Sequence, residues 1–285
     1  MNFKEYLQQK RLATNTVKMY TKRSVYFLTW LQREDLTAEG FVYNDLLGFM
    51  RHCDTEGISK KGVHALLCTV RHYCNWLIKE GKRGDSPAAG IFIKGLTRKL
   101  PNNLLGMEEM EELYKQYSIQ LNVDASKKIM LGLMVYQGIT VGELMRLQSH
   151  HFRQKDGKVF IKGTRHTNER LLNLEALQVA ELQNYLNKNK SKEGALFIEA
   201  TKKEVSERNI NNRIKYMFDQ LRKLNPKVIN AKQIRGSVIT HWLKQNNLRQ
   251  VQYMAGHKYA SSTERYQLGN LDDLQSELMH HHPMK

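Results

Sequence analysis

Apolar residues recur at helical spacing through the first ninety positions of the chain. Tyr20, Phe27 and Leu31 stand at i, i+7 and i+11, and Val17, Ser24 and Leu28 fill the same side, an amphipathic stripe. Thr14-Asn15-Thr16 offers a cap before it. Asn44 or Asp45 is placed to open a second helix bearing Leu46, Leu47, Phe49 and Met50. Ser59 is placed to cap a third, with Val63, Leu66, Leu67, Val70, Tyr73, Cys74 and Leu77 at helical spacing. Gly81 suits its end, with Lys79 in the last turn. Asp85-Ser86-Pro87-Ala88-Ala89-Gly90 is turn chemistry, and Lys94 to Asn103 has little periodicity. The pattern predicts a helical domain over residues 1–94, a linker over 95–103 and a second domain over 104–285.

The second domain alternates differently. Met107 to Leu113 starts a helix with acids in its first turn. Lys127 to Tyr136 reads as a buried helix, and Val141 to Leu147 begins another. Val159-Phe160-Ile161 and Leu171-Leu172-Asn173-Leu174 are short strand candidates flanking the polar turn from Lys162 to Arg170. Leu177 to Leu186, Glu207 to Leu224, Arg235 to Gln245 and Leu248 to Ala255 read as helices. The fold class expected is mainly α with a small antiparallel β-sheet.

Charge changes the picture most. The chain has 285 residues, room for two domains, and a formal net charge of +17. Residues 1 to 100 hold 17 Lys+Arg against 9 Asp+Glu, so both halves are basic. That charge suggests a polyanionic partner, although a basic surface also serves an anionic membrane or solubility alone. Cys53, Cys68 and Cys74 are odd in number and form no C-x-x-C pair, so neither a zinc site nor a disulfide framework is indicated. There is no apolar run of spanning length and no secretory signal pattern. The expectation is a cytoplasmic protein without a membrane partner.

The candidate chemistry lies near the C-terminus. Lys232-Gln233-Ile234-Arg235 is followed by Ala255-Gly256-His257 and then by Thr263-Glu264-Arg265-Tyr266. This order and spacing resemble the tyrosine recombinase/integrase family, in which a His-x-x-Arg box, a Gly-His pair and a nucleophilic Tyr follow one another. The Arg235 to His257 interval is about one residue shorter than usual. The resemblance implies that Tyr266 attacks a DNA phosphate and that Arg235, His257 and Lys232 gather around it. Lys232 stands where the family usually has His, and lysine is a poor proton acceptor near neutral pH. A phenol, less basic than an alcohol, leaves a phosphodiester still reactive enough to be rejoined. Arginine clamps non-bridging oxygens bidentately.

Two positions depart from the family pattern. The family reads Thr-Gly-Leu-Arg, two variable residues, then Glu-Leu. Here Glu143-Leu144 matches, but Thr140 stands where the first catalytic arginine belongs. Arg146 is no ready substitute, because six residues turn it about 240° around a helix. In the hairpin, counting back from Arg170-Leu171-Leu172-Asn173-Leu174 places Arg165 at the usual general-acid lysine, with Lys162 three residues earlier. Arginine stays protonated, so Lys162 is the better acid; solvated hairpin charges are the plain alternative for both.

By resemblance, residues 1–94 are a core-binding domain and residues 104–285 a catalytic domain. The implied function is site-specific recombination through a 3′-phosphotyrosyl intermediate, with no metal or nucleotide cofactor needed. The implied partner is double-stranded DNA, gripped by a tetramer on paired sites, with accessory DNA-bending proteins possible. A non-catalytic DNA-binding relative is the alternative that Thr140 favours, and a type IB topoisomerase-like nicking-closing enzyme is a further one. Leu271, Leu274 and Leu278 form an apolar stripe after Tyr266, which the resemblance docks onto a neighbouring protomer.

Overall fold

The computed structural model describes residues 1–95, 103–120, 123–164, 167–188, 195–197 and 207–267. The chain divides into two compact units, Met1–Arg98 and Lys99–Lys285.

The first unit is helical: α1 (Phe3–Gln9), α2 (Thr14–Arg33), α3 (Tyr43–Thr55) and α4 (Lys60–Lys79). The predicted stripe on α2 faces inward, with Val17, Ser24, Phe27 and Leu31 buried. Phe27, Trp30, Phe41 and Phe49 form the aromatic centre of the core, joined by Leu46, Cys53, Leu67, Val70 and Cys74. Thr14-Asn15-Thr16 is not the cap: it lies inside α2, whose N-cap is Ala13 with no side-chain bond. Likewise α3 opens at Tyr43, and Asp45 reaches back from its first turn to accept the Val42 N–H at 2.7 Å. Ser59 does cap α4, accepting the Gly62 N–H at 3.2 Å. Gly81 adopts φ +68°, the left-handed conformation that ends this helix.

Some of this unit's positive charge is spent internally. The Arg83 guanidinium donates to the carbonyls of Ala38, Glu39 and Phe41 at 3.2, 3.0 and 2.6 Å. It lies 4.4 Å from the Phe41 ring centroid. Arg71 donates to the carbonyls of Ala88 and Ile91. These arginines pin loops and are not free to meet a polyanion.

In the second unit, α5 (Met107–Ser118), α6 (Ala125–Gln137) and α7 (Val141–Arg146) precede a sheet of β1 (Phe152–Arg153), β2 (Lys158–Ile161) and β3 (Arg170–Asn173). Then come α8 (Ala176–Lys188), α9 (Glu207–Leu224), α10 (Ala231–Gln245) and α11 (Leu248–Ala255), and a further helix, α12, over 261–267. The sheet is antiparallel in the order β1-β2-β3. The molecule is thus mainly helical with one small sheet, as its pattern predicts. The two-residue β1 is too short to leave an alternation in the sequence.

Helix α6 is buried nearly all round, because its run Ile129 to Val135 has no polar face. It packs against α5, α8, α9 and α10, which makes it the axis of the unit. Helix α10 starts at Ala231, four residues before the expected Arg235. Asn230 moves the start by accepting the N–H groups of both Lys232 and Gln233. Arg235 therefore sits in the second turn of a capped helix. No described helix is long and apolar enough to cross a membrane.

Candidate active site

Strand alternation begins the site. Ile161 pairs with Arg170 and Val159 with Leu172, and all four are buried. This puts a guanidinium on the core face of the sheet, where it needs a counter-charge. Glu143, in the first turn of α7, supplies it. Arg170 Nη1 donates to Glu143 Oε1 at 2.7 Å and Nη2 to Oε2 at 3.1 Å, both side chains being essentially inaccessible. Thr140, the N-cap of α7, gives its N–H and its hydroxyl to Glu143 Oε2, each at 2.9 Å. Burial alone pushes the Glu143 carboxyl up; the Arg170 bonds and charge, with Thr140 and Arg235, outweigh it and hold the group down at about 2.

Arg235 stands beside this pair, its Nη1 3.9 Å from Glu143 Oε2. Its own bonds go to the ends of two helices. Nη1 donates to the Gly138 carbonyl and Nη2 to the Ala255 carbonyl, both at 2.5 Å. Gly138 is the C-cap of α6 and Ala255 the last residue of α11, so the guanidinium rests on two negative helix ends. Both helices close on a left-handed glycine, Gly138 at φ +58° and Gly256 at φ +65°. A Cβ at Gly256 would also lie 2.5 Å from Arg170 Nη1. The helix end, the buried ion pair and Arg235 thus fix one another. Of five guanidinium N–H groups, Arg235 commits two to carbonyls.

The chain then turns from Gly256 into His257. Thr263, fully buried in α12, brings its hydroxyl 2.8 Å from His257 Nδ1. One turn later on α12, the Tyr266 ring stacks on His257, with centroids 6.0 Å apart and planes 13° from parallel. Burial, then the charges of Arg235, Arg170 and Arg265, push His257 down to about 4, against a smaller opposing pull from Glu143. The imidazole is neutral at physiological pH. Burial raises the Tyr266 phenol, while Arg235 and Arg265 pull it back. Tyr266 is therefore a protonated phenol in the field of Arg235.

The structure thus brings Arg235, His257 and Tyr266 together. It leaves the predicted lysines outside this contact set. Lys232 is exposed at the start of α10, and Lys162 is exposed just beyond β2. Neither side chain makes a hydrogen bond or ion pair among the described residues. Arg165 lies outside the described residues, as do Leu271, Leu274 and Leu278. The hairpin that carries Lys162 is nonetheless tied to the site. Thr167 bridges to His257, and the Asn168 N–H donates to the Gly256 carbonyl at 3.0 Å. Thr140 is spent on capping and on Glu143, and Arg146 is exposed with its guanidinium folded back over Gly142.

Glu143, Arg170 and Thr263 were not among the sequence candidates. Glu143 and Arg170 were matched to the family pattern, but nothing local says that they pair. The arrangement offers an anion site with a fixed cation, a neutral imidazole and a hydroxyl nucleophile. Among the described residues no group of three His, Cys, Asp or Glu is placed to hold a metal.

Residues 103–270 match the phage integrase family, and residues 1–81 match the phage integrase N-terminal SAM-like domain. The chain is 26% identical to tyrosine recombinase XerC of Histophilus somni, over 90% of this chain and 88% of that one. It is 27% identical to tyrosine recombinase XerD of Oceanobacillus iheyensis, over 93% and 91%. In three dimensions it resembles the crystal structure of XerH site-specific recombinase bound to palindromic difH substrate, a post-cleavage complex. The TM-score is 0.70 at 18% identity, covering 92% of this chain and 78% of that one.

Proposed function

The chain belongs to the phage integrase family, and from that premise we propose that it is a site-specific recombinase that cuts and rejoins duplex DNA through a 3′-phosphotyrosyl intermediate. Tyr266 attacks a backbone phosphate and passes its proton to solvent water as its oxygen bonds to phosphorus; the bond from phosphorus to the 5′ oxygen breaks, and that oxygen leaves with a proton from the general acid. Arg235 holds non-bridging oxygens whose charge grows in the transition state. Neutral His257 donates a hydrogen bond to the same phosphate. Lys162 is the acid for the leaving 5′ oxygen, brought in by the hairpin when DNA is bound, with Arg165 beside it as a charge. Lys232 contacts phosphate one helical turn from Arg235. Rejoining reverses these steps with a new 5′ hydroxyl.

Residues 1–94 bind the DNA core site and residues 104–285 carry the chemistry, joined by a linker over 95–103. Exchange requires a tetramer on paired sites, with accessory DNA-bending proteins where the sites need them. The protein works where the DNA is, in the cytoplasm.

The observation that supports this reading most is Tyr266 stacked on His257 within the field of Arg235. The test is incubation with nicked suicide duplexes carrying candidate sites, then a denaturing gel. A covalent protein–DNA adduct is expected, and Tyr266→Phe should abolish it while leaving DNA affinity intact. Adducts of undiminished yield in that variant would remove Tyr266 from its role. A second reading, a DNA-binding relative without chemistry, is favoured by Thr140: its neutral hydroxyl is occupied on Glu143, where the family carries a cation. It predicts site-specific binding with no adduct from any duplex.

A further inference from the structure

Thr263 is fully buried, and its hydroxyl lies 2.8 Å from His257 Nδ1. Its backbone N–H is already bonded to the Ala260 carbonyl at 2.7 Å. Among the described residues, Nδ1 is the one hydrogen-bond partner that the hydroxyl has. The direction of this bond therefore matters. If the ring donated from Nδ1, the buried hydroxyl proton would have no acceptor. If the hydroxyl donates, both groups are satisfied and Nδ1 carries a lone pair. A neutral imidazole with a lone pair on Nδ1 has its proton on Nε2.

We propose that Thr263 is a positioning residue that locks the His257 ring in its Nε2–H tautomer, so that His257 meets a DNA phosphate as a hydrogen-bond donor and not as a base. The bond does a second thing. Thr263 and Tyr266 are one turn apart on α12, so the same hydroxyl ties the donor to the helix that carries the nucleophile. Donor and nucleophile are set as one piece, with their rings stacked. Low basicity of the ring supports this, because at about 4 the imidazole stays neutral and has a tautomer to be chosen. The inference rests on the reading of Tyr266 and His257 given above.

The test uses two variants of the full chain. Thr263→Val keeps the shape and removes the hydroxyl; Thr263→Ser keeps the hydroxyl. Long-range nitrogen–proton spectra of the imidazoles are recorded without DNA, with His257 identified by its loss in His257→Gln. The parent and Thr263→Ser should show a bare Nδ1 and a protonated Nε2, and Thr263→Val should show mixed tautomers. On a suicide duplex at saturating protein, Thr263→Val should slow adduct formation by about tenfold or more with unchanged DNA affinity, and Thr263→Ser should restore it. A parent spectrum with the proton on Nδ1 overturns the inference. So does a Thr263→Val protein with the parent's spectrum and rate. Absence of any adduct from the parent protein overturns the reading of Tyr266 instead, while the spectra still decide whether Thr263 holds the ring.

Discussion

The cations in and around this site come in two kinds, and they are held in opposite ways. Arg170 and Arg235 are inside the fold, gripped by Glu143, by two helix ends and by each other's supports. Lys162 and Lys232 are exposed. The buried pair is built before any ligand arrives, so it costs nothing to reorganise when charge develops on a phosphate. The exposed pair is free to follow a ligand and pays side-chain entropy when it does. The contrast separates a rigid half, the pre-built pair, from an exposed pair that, in the proposed mechanism, closes on the phosphate.

The largest expected effect comes from breaking the rigid half. Glu143→Gln leaves the Arg170 guanidinium buried without a counter-ion and should cost about 3–5 kcal/mol of stability by denaturant unfolding. Lys232→Ala, its exposed counterpart, should change stability by less than about 0.5 kcal/mol. Equal effects from the two would erase the distinction.

Thr140→Arg sharpens the comparison from the other side, by adding a cation at the rim of the rigid half. It removes a helix cap worth about 1 kcal/mol. If the site is one cation short, it should also raise the single-turnover adduct rate, by up to about 10²-fold. A slower or unchanged rate would mean that the site is complete with the threonine.

The smallest effect is one of pH. The folded-state value of His257 is depressed from 6.5 to about 4, so the unfolded chain takes up the proton first as pH falls. Stability from this group is present above 6.5 and is lost as pH drops from 6.5 towards 4. Glu143, depressed from 4.5 to about 2, adds a second loss below 4.5. The thermal midpoint should therefore decline on going from pH 7 to pH 5, and His257→Gln should flatten that decline. A midpoint that rises with acid over this window would contradict the burial of a neutral imidazole.

Much of the fold was legible in the sequence. Helices over Glu207–Leu224 and Leu248–Ala255 have the bounds that the pattern predicts, because each has a single amphipathic face. Two starts are misplaced. Thr14-Asn15-Thr16 has capping side chains, but Ala13 begins α2 with no capping bond, and Asn230, capping twice, begins α10 four residues ahead of Arg235. Arg235, His257 and Tyr266 were picked out by spacing and resemblance, and the fold brings them together. The ion pair behind them was not legible, since Glu143 and Arg170 are 27 residues apart and meet only through tertiary folding. Thr263 gave no signal either, because a hydroxyl declares its partner only once the ring beside it is in place.

The grip on Arg235 also has a consequence for how the chain is made. Its two carbonyl partners lie 97 residues before it and 20 residues after it. A growing polypeptide that has just released Arg235 has only the first of them. The second arrives with Ala255, and Tyr266 follows behind it. The second carbonyl that grips the arginine and the phenol hydroxyl are thus both made after Arg235 itself. A truncated product ending before residue 255 lacks one of the two carbonyls that hold Arg235, so its guanidinium is gripped from one side alone.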